Sequence, residues 1–385
     1  MSLLNNIRAI LKYEIILSIL LLLIACNSSS QEASSEDIKI GAILPLTGGA
    51  ASFYGKYATQ GLELARDEIN ANGGIDRKNL TIVYEDSQGQ ITRGLSAFNK
   101  LQAEGITVII GDIVSGVTLA IAPEAEKNKI LLIAPGSASP KLSEAGDYVF
   151  RTKVSAQLES KTAADFIKNS LGANRVAFLY QNSDYGFGVF SAMKADLLSL
   201  GAEIVGEEKF DIGDADMRTQ LLKLKGTGAN YILLAGYPQE VGLILKQANE
   251  LGVTQKFFAH SGSVGPDVIR MAGPAANGLI YLYEIDLNRS RQNTERFVEE
   301  YHSKYSEDPE LFSSLTYDTL MLIKEHIKGC GLDSTCLKNT LYTADFEGVT
   351  GKITFDHNGD IIREKFTPMI IRNNAFMFYA LGKLA

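Results

Sequence analysis

Cysteine, histidine and clusters of basic residues are scarce in this 385-residue chain, and each scarcity excludes something. There are four histidines, His260, His302, His326 and His357, and they stand apart without the pair spacing of a metal site. Each reads as a surface histidine or a satisfied core one. No G-x-G-x-x-G follows the first apolar run, and no G-x-x-x-x-G-K-[ST] or G-x-S-x-G occurs, so a nucleotide-phosphate cradle and a hydrolase elbow are both missing. The many carboxylates single out no acid or base. The chain therefore reads as a non-enzyme with no cofactor and no metal. With 37 Lys+Arg against 45 Asp+Glu, a formal charge of −8 and no Lys/Arg run, nucleic acid is excluded as a partner. The 35 glycines and 9 prolines follow no period, and no long segment lacks apolar residues, which removes collagen-like and wholly disordered readings. What is present is a globular composition, 45% apolar and 21% charged, long enough for two domains with their own cores.

The first segment reads as a processing signal. Arg8 and Lys12 precede an apolar run from Ile15 to Ala25 that is too short for a bilayer span of about 20 helical residues. It ends Leu23-Ile24-Ala25-Cys26, the bacterial lipobox pattern, which makes residues 1–25 a lipoprotein signal peptide and Cys26 the lipidated first residue of the mature chain. The alternative is a plain signal peptide, or a membrane anchor with an incidental cysteine. Residues 26–36, rich in serine and with nothing to bury, then form a flexible tether. An exported protein meets oxidising surroundings. Cys330 and Cys336 flank a short turn-like segment and are expected to form a disulfide, the alternative being two reduced thiols.

From Ile38 onward, short β-branched runs alternate with helical periods. Ile38–Leu44, Leu80–Tyr84, Thr107–Ile110 and Ile130–Ala134 are apolar enough to be strands covered on both faces. Ala58, Leu62, Ala65 and Ile69 lie on one helical stripe that Asn72-Gly73-Gly74 stops. A second set of strands follows at Arg175–Tyr180, Ala202–Val205, Tyr231–Leu234, Lys256–Ala259 and Leu279–Tyr283, with helices near 185–200, 216–225 and 238–251. Two helices at 290–305 and 312–328 and strands at Lys352–Phe355, Phe366–Ile371 and Ala375–Tyr379 complete the chain. The fold class is α/β, with two doubly wound lobes.

In open α/β sheets ligands bind beyond the carboxyl ends of the strands. The loops there hold Pro45-Leu46-Thr47-Gly48-Gly49, Tyr54, Asp86-Ser87, Gly111 to Gly116, and Pro135-Gly136-Ser137-Ala138-Ser139-Pro140. Small, hydroxyl and aromatic residues beside helix starts suit a small ligand with a carboxylate. Ser139, followed by Pro140, equally reads as an ordinary N-cap, and so does Ser115.

Taken in order, Ile38-Lys39-Ile40-Gly41, Pro45-Leu46-Thr47-Gly48, Tyr54-Gly55, Asp67-Glu68-Ile69-Asn70-Ala71-Asn72-Gly73-Gly74-Ile75, Ile109-Ile110-Gly111, Ala134 to Pro140, Asp184-Tyr185-Gly186, Ala235 to Glu240, Gln247-Ala248 and Phe355-Asp356 resemble the Leu/Ile/Val-binding proteins of bacterial ABC importers. The resemblance covers residues 37–380. It implies the periplasmic-binding-protein type I fold, two Rossmann-like lobes joined by three hinge crossovers. Lobe 1 would comprise residues 37–156 plus 286–362, and lobe 2 residues 157–285 plus 363–385. It implies a lipid-anchored extracytoplasmic substrate-binding protein, in the periplasm or on the cell surface, that hands its ligand to an ABC permease after the cleft closes. A sensory receptor of the same fold, signalling to a membrane partner, is the alternative. By position the ligand-binding residues would be Tyr54, Ser115, Gly136, Ser137, Ala138 and Ser139 from lobe 1, Tyr185, Tyr237 and Ser261 from lobe 2, and Phe312 from the returning lobe 1 segment. Ser261 stands where the family carries the acidic residue that holds an amino-acid ammonium, and Ala138 where it often carries threonine. A branched-chain amino acid would need Asp184 or Glu240 to supply the missing charge; small organic acids and amides would not.

Overall fold

The computed structural model describes residues 37–285 and 292–380. The signal segment 1–25, Cys26 and the tether 26–36 lie outside the described residues. The first half of the fold alternates strand and helix as far as β4. It runs β1 (Ile38–Leu44), α1 (Ser52–Ala71), β2 (Leu80–Asp86), α2 (Ile91–Ala103), β3 (Val108–Gly111), α3 (Ser115–Asn128), β4 (Leu131–Ala134) and β5 (Val149–Arg151). The strands form one parallel sheet in the order β2-β1-β3-β4-β5. Every residue of β3 and β4 is buried, as continuous apolar runs covered on both faces require. The stop after α1 is local chemistry: Gly73 and Gly74 take φ of 90° and 71°, and the Asn70 side chain pins the helix end to β2 through Leu80 N–H at 2.8 Å and Leu80 C=O at 3.0 Å.

The second half continues α4 (Ala156–Asp165), β6 (Arg175–Gln181), α5 (Asp184–Ser199), β7 (Glu203–Phe210), α6 (Arg218–Lys225), β8 (Tyr231–Ala235), α7 (Pro238–Glu250), β9 (Lys256–Ala259), α8 (Pro266–Ala272) and β10 (Ile280–Tyr283). Then come α9 (Gln292–Tyr305), α10 (Leu311–Cys330), α11 (Ser334–Leu341), the hairpin β11 (Phe346–Gly348) and β12 (Gly351–Ile353), and finally β13 (Thr367–Arg372) and β14 (Ala375–Phe378). The second sheet has the order β14-β13-β10-β9-β8-β6-β7. Strands β6 to β10 are parallel in it, and β13 and β14 antiparallel.

The α/β class with two doubly wound sheets is as the sequence predicts. The chain passes between sheets after β5, after β10 and before β13. Helices α9 and α10 return to the first sheet, where Phe297, Tyr301 and Leu315 share a core with Ile40, Leu44 and Leu62. Among the described residues no helix is long and apolar enough to cross a membrane.

Three local expectations are corrected. The segment Lys352–Phe355 is a strand only as far as Ile353, because its partner is a three-residue neighbour, Phe346–Gly348, rather than a large sheet. Strand β7 runs on to Phe210, well past Val205, paired with β6 around a bulge at Val176/Ala177. The segment between Cys330 and Cys336 is a turn only in part, since Asp333 accepts the Cys336 N–H at 2.9 Å and starts α11 there. Cys330 and Cys336 are joined by a disulfide, with Cα atoms 5.5 Å apart.

Candidate ligand-binding site

Where the carboxyl ends of the two sheets meet lies a narrow, nearly filled cavity of about 10 Å³, room for about one water. It is lined by Tyr54, Ile113, Val114, Ser115, Gly136, Lys153, Tyr185, Tyr237, Gly262 and Phe312. Aromatic rings make the walls. Tyr54, on the first turn of α1, packs edge-on against Phe312 at 4.6 Å and Tyr237 at 5.1 Å between ring centroids, and its hydroxyl donates to the Gly262 carbonyl at 3.0 Å. That bond joins a first-sheet helix to a second-sheet loop. Burial first, and neighbouring acidic groups after it, keep the Tyr54 phenol well above its usual range, so it is an un-ionised donor.

One end of the cavity is the start of α3. The first intrahelical amide bonds there are those of Val117 and Thr118 to the Val114 carbonyl, so the Ser115 and Gly116 amides lie ahead of the hydrogen-bonded ladder. Ser115 is 2% exposed, and its hydroxyl has no partner. A helix amino terminus with an open buried donor suits an anion. Gly136 is required nearby, because a Cβ on it would sit 2.5 Å from the Ile113 side chain and 2.8 Å from the Ile113 backbone. Just ahead of α3, Asp112 accepts the Val114 N–H at 2.7 Å. Its burial, against the bonds from Ser87 and Val114 that pull it down, pushes its carboxyl up to about 7.

The other end is a buried charged cluster. Lys153, in the stretch between β5 and α4, pairs with Glu284, just past β10, and its Nζ donates to Ser261 Oγ at 3.1 Å. Glu159, in the first turn of α4, accepts the Ser261 N–H at 2.7 Å and the Ser261 hydroxyl at 2.6 Å. His260 Nδ1 accepts the Gly262 N–H at 3.3 Å, with the Tyr185 hydroxyl 3.0 Å away. Burial, and then the Lys153 charge, hold the His260 pKa well below its usual value, so the ring is neutral. Among the described residues no group of histidines, cysteines and carboxylates is arranged to hold a metal ion.

Of the ten residues singled out in the sequence, Tyr54, Ser115, Gly136, Tyr185, Tyr237 and Phe312 come together around this cavity. The other four do not line it. Ser137 and Ala138 are fully buried, and Ala138 packs with Ala156 and Tyr185. Ser139 borders a separate groove with Lys141, Asp184 and Phe187. Ser139 also stands at the N-cap of a 3₁₀ turn, but its side chain makes no capping bond. Ser261 belongs to the charged cluster. Neither proposed source of a ligand-facing carboxylate is in place. Asp184 pairs with Lys141 at 2.9 Å near the surface, while Glu240 is taken up by Gln181, Gly213 N–H and Tyr237 N–H. Sequence reasoning missed Lys153, Glu159 and Glu284. One signal was present: a lysine inside Arg151-Thr152-Lys153-Val154-Ser155, a stretch that is otherwise hydroxyl-bearing or apolar after Arg151.

A family model described as periplasmic binding protein matches residues 37–369. The Leu/Ile/Val-binding protein homolog 2 of Brucella abortus (strain 2308) is 29% identical over 333 residues, 85% of this chain and 88% of its own length. The leucine binding protein LivK from Thermotoga maritima superposes with a TM-score of 0.83 at 29% identity, covering 89% of this chain and 98% of that one. LivJ from Streptococcus pneumoniae, a branched-chain amino acid transporter substrate binding protein solved with isoleucine, gives 0.82 at 29% identity over the same shares.

Proposed function

We infer function from one premise, that the chain belongs to the periplasmic binding protein family. On this reading it is the extracytoplasmic substrate-binding protein of an ABC importer, tethered through a lipid on Cys26. It captures a small amino acid of the branched-chain type, or a related small organic acid or amide, and presents it to a membrane permease. The relatives that carry leucine, isoleucine or valine in their names support the ligand's size class. A single observation carries the site: the Ser115 hydroxyl, buried without a partner beside open helix amides, opens into a cavity walled by Tyr54, Tyr185, Tyr237 and Phe312.

The mechanism is ligand-gated closure about the three crossovers. Lobe 1 would be residues 37–156 plus 286–362 and lobe 2 residues 157–285 plus 363–385. A ligand that touches both lobes favours the closed arrangement by its differential affinity, and the closed arrangement is what a permease reads.

A thermal-shift screen over amino acids, small organic acids and amides tests the function, because a ligand bound only to the folded state raises the midpoint. At least one small carboxylate or amide is expected to raise it, and a screen with no hit overturns the reading. With a ligand in hand, small-angle scattering should show a more compact particle at saturation. An unchanged profile with binding confirmed would mean a rigid pocket. The anchor is tested separately: Cys26→Ala should abolish fatty-acid labelling, and a variant still labelled would refute lipidation at that residue.

A further inference from the structure

Lys153 alone carries a charge among the described residues that line the cavity; no carboxylate lines it. Its ammonium has three N–H donors to place. One goes to Glu284 and one to Ser261 Oγ at 3.1 Å. The remaining acceptors, Glu159 Oε2 and the Val154 carbonyl, both stand at 3.5 Å, the outer limit of a hydrogen bond. One donor is therefore poorly satisfied.

The carboxylates behind Lys153 are, by contrast, occupied. Glu159 is held by the Ser261 amide and hydroxyl, with His260 Nε2 3.1 Å from its Oε2. Glu284 takes Lys153 on one oxygen and the Val154 N–H at 3.3 Å on the other. Neither carboxylate lines the cavity, so the cluster presents its ammonium and no carboxylate oxygen to a ligand. An α-ammonium entering this end would meet a resident ammonium and no open acceptor, and burying like charges together is costly.

We propose that Lys153 is the specificity-determining residue of this site and that the ligand is a small monocarboxylate with an uncharged oxygen, oxo or hydroxyl, where an amino acid carries its ammonium. The carboxylate binds at Ser115 and the α3 amino terminus, and the uncharged oxygen accepts the spare Lys153 N–H. The apolar body lies among the aromatic walls. This deepens the substrate-binding reading and rests on it.

Titration calorimetry on the mature protein tests it with matched pairs: leucine, valine and phenylalanine, each against its own 2-oxo acid. In every pair that binds, the oxo acid should be tighter by about tenfold or more, the scale of one hydrogen bond to a charged group. Lys153→Met, with its fold checked by circular dichroism, should lose that preference and shift toward the amino acid, because Glu159 and Glu284 would then lack a cation. Tighter binding of an amino acid by the wild type overturns the inference and leaves the substrate-binding reading standing. So does an undiminished oxo-acid preference in folded Lys153→Met. If the variant does not fold, the wild-type pairs decide alone. If no pair binds and the thermal-shift screen is also blank, the substrate-binding reading itself has failed.

Discussion

At the α3 end of the cavity a buried hydroxyl and two helix amides are left open, whereas at the Lys153 end nearly every buried polar atom already has a partner from the protein. Each end has a buried cation nearby, and the two cations are only two residues apart in the chain. Arg151 is fully buried behind the loop 136–140, forked onto Asp360 at 2.5 and 2.6 Å and donating to the Ser139 carbonyl at 2.8 Å. Lys153 lines the cavity itself. The contrast teaches that charge in a buried site can serve scaffold or ligand, and that what the charge faces distinguishes the two. The Arg151 guanidinium spends four of its five N–H groups on Asp360, Ser139 and Ser143, off the cavity wall, while the Lys153 ammonium lies on that wall with a stretched third contact.

The largest effect should come from breaking the scaffold. Asp360→Ala strands a buried guanidinium and is expected to cost about 3–5 kcal/mol in urea unfolding, the range for removing one partner of a buried pair. A loss below about 1 kcal/mol would mean that Arg151 finds other partners or water.

A smaller effect sharpens the contrast between the two serines. Ser115→Ala should weaken ligand binding by about 1.5–3 kcal/mol, the scale for a hydrogen bond to a charged group. Stability should change by no more than about 0.5 kcal/mol, because the hydroxyl has no partner in the fold. Ser261→Ala should do the reverse, costing about 1–3 kcal/mol of stability, since it leaves Glu159 and Lys153 each short of a partner. Equal losses of stability in both variants would erase the distinction.

A further effect is a pH dependence on the first-sheet side. Glu310 caps α10 by accepting the Phe312 and Ser313 amides at 2.7 and 2.9 Å, yet its other oxygen is buried without a partner. Its burial, against those amide bonds, pushes the carboxyl up from 4.5 to about 8. The folded protein thus keeps a proton that the unfolded chain releases. The associated stability is full below pH 4.5 and is lost as pH rises toward 8. Glu310→Gln keeps an acceptor oxygen for the cap, so the wild type should lose stability relative to the variant between pH 5 and 8. A difference that stays constant over that range would show the carboxyl titrating normally.

The sequence was legible where the signal is local. The buried runs of β1, β3 and β4, the stop at Gly73-Gly74 and the Pro238 start of α7 each announce themselves within a few residues. Strands β5 and β11 did not, because three-residue strands carry no periodicity and owe their existence to their partners, and β12 was read two residues too far for the same reason. The same logic divides the site. Tyr54 and Ser115 lie in the first turns of the helices after β1 and β3, and Gly136 just past β4, at the strand ends that the strand pattern already marks. Lys153, Glu159 and Glu284 form one cluster only after two separate crossovers are folded together, and 131 residues separate Lys153 from Glu284. The serine at position 261 raises the question of an ammonium from the sequence alone; Lys153, Glu159 and Glu284, which bear on it, are connected to it by the fold and by no spacing rule.

A crystal structure of the complex with the tightest ligand from the screen tests the account most directly. The account predicts the ligand in the cavity walled by Tyr54, Tyr185, Tyr237 and Phe312. Its carboxylate should lie about 2.7–3.0 Å from Ser115 Oγ, with an uncharged oxygen against Lys153. A ligand bound elsewhere, or one with its carboxylate on Lys153 and its other end at Ser115, would contradict it.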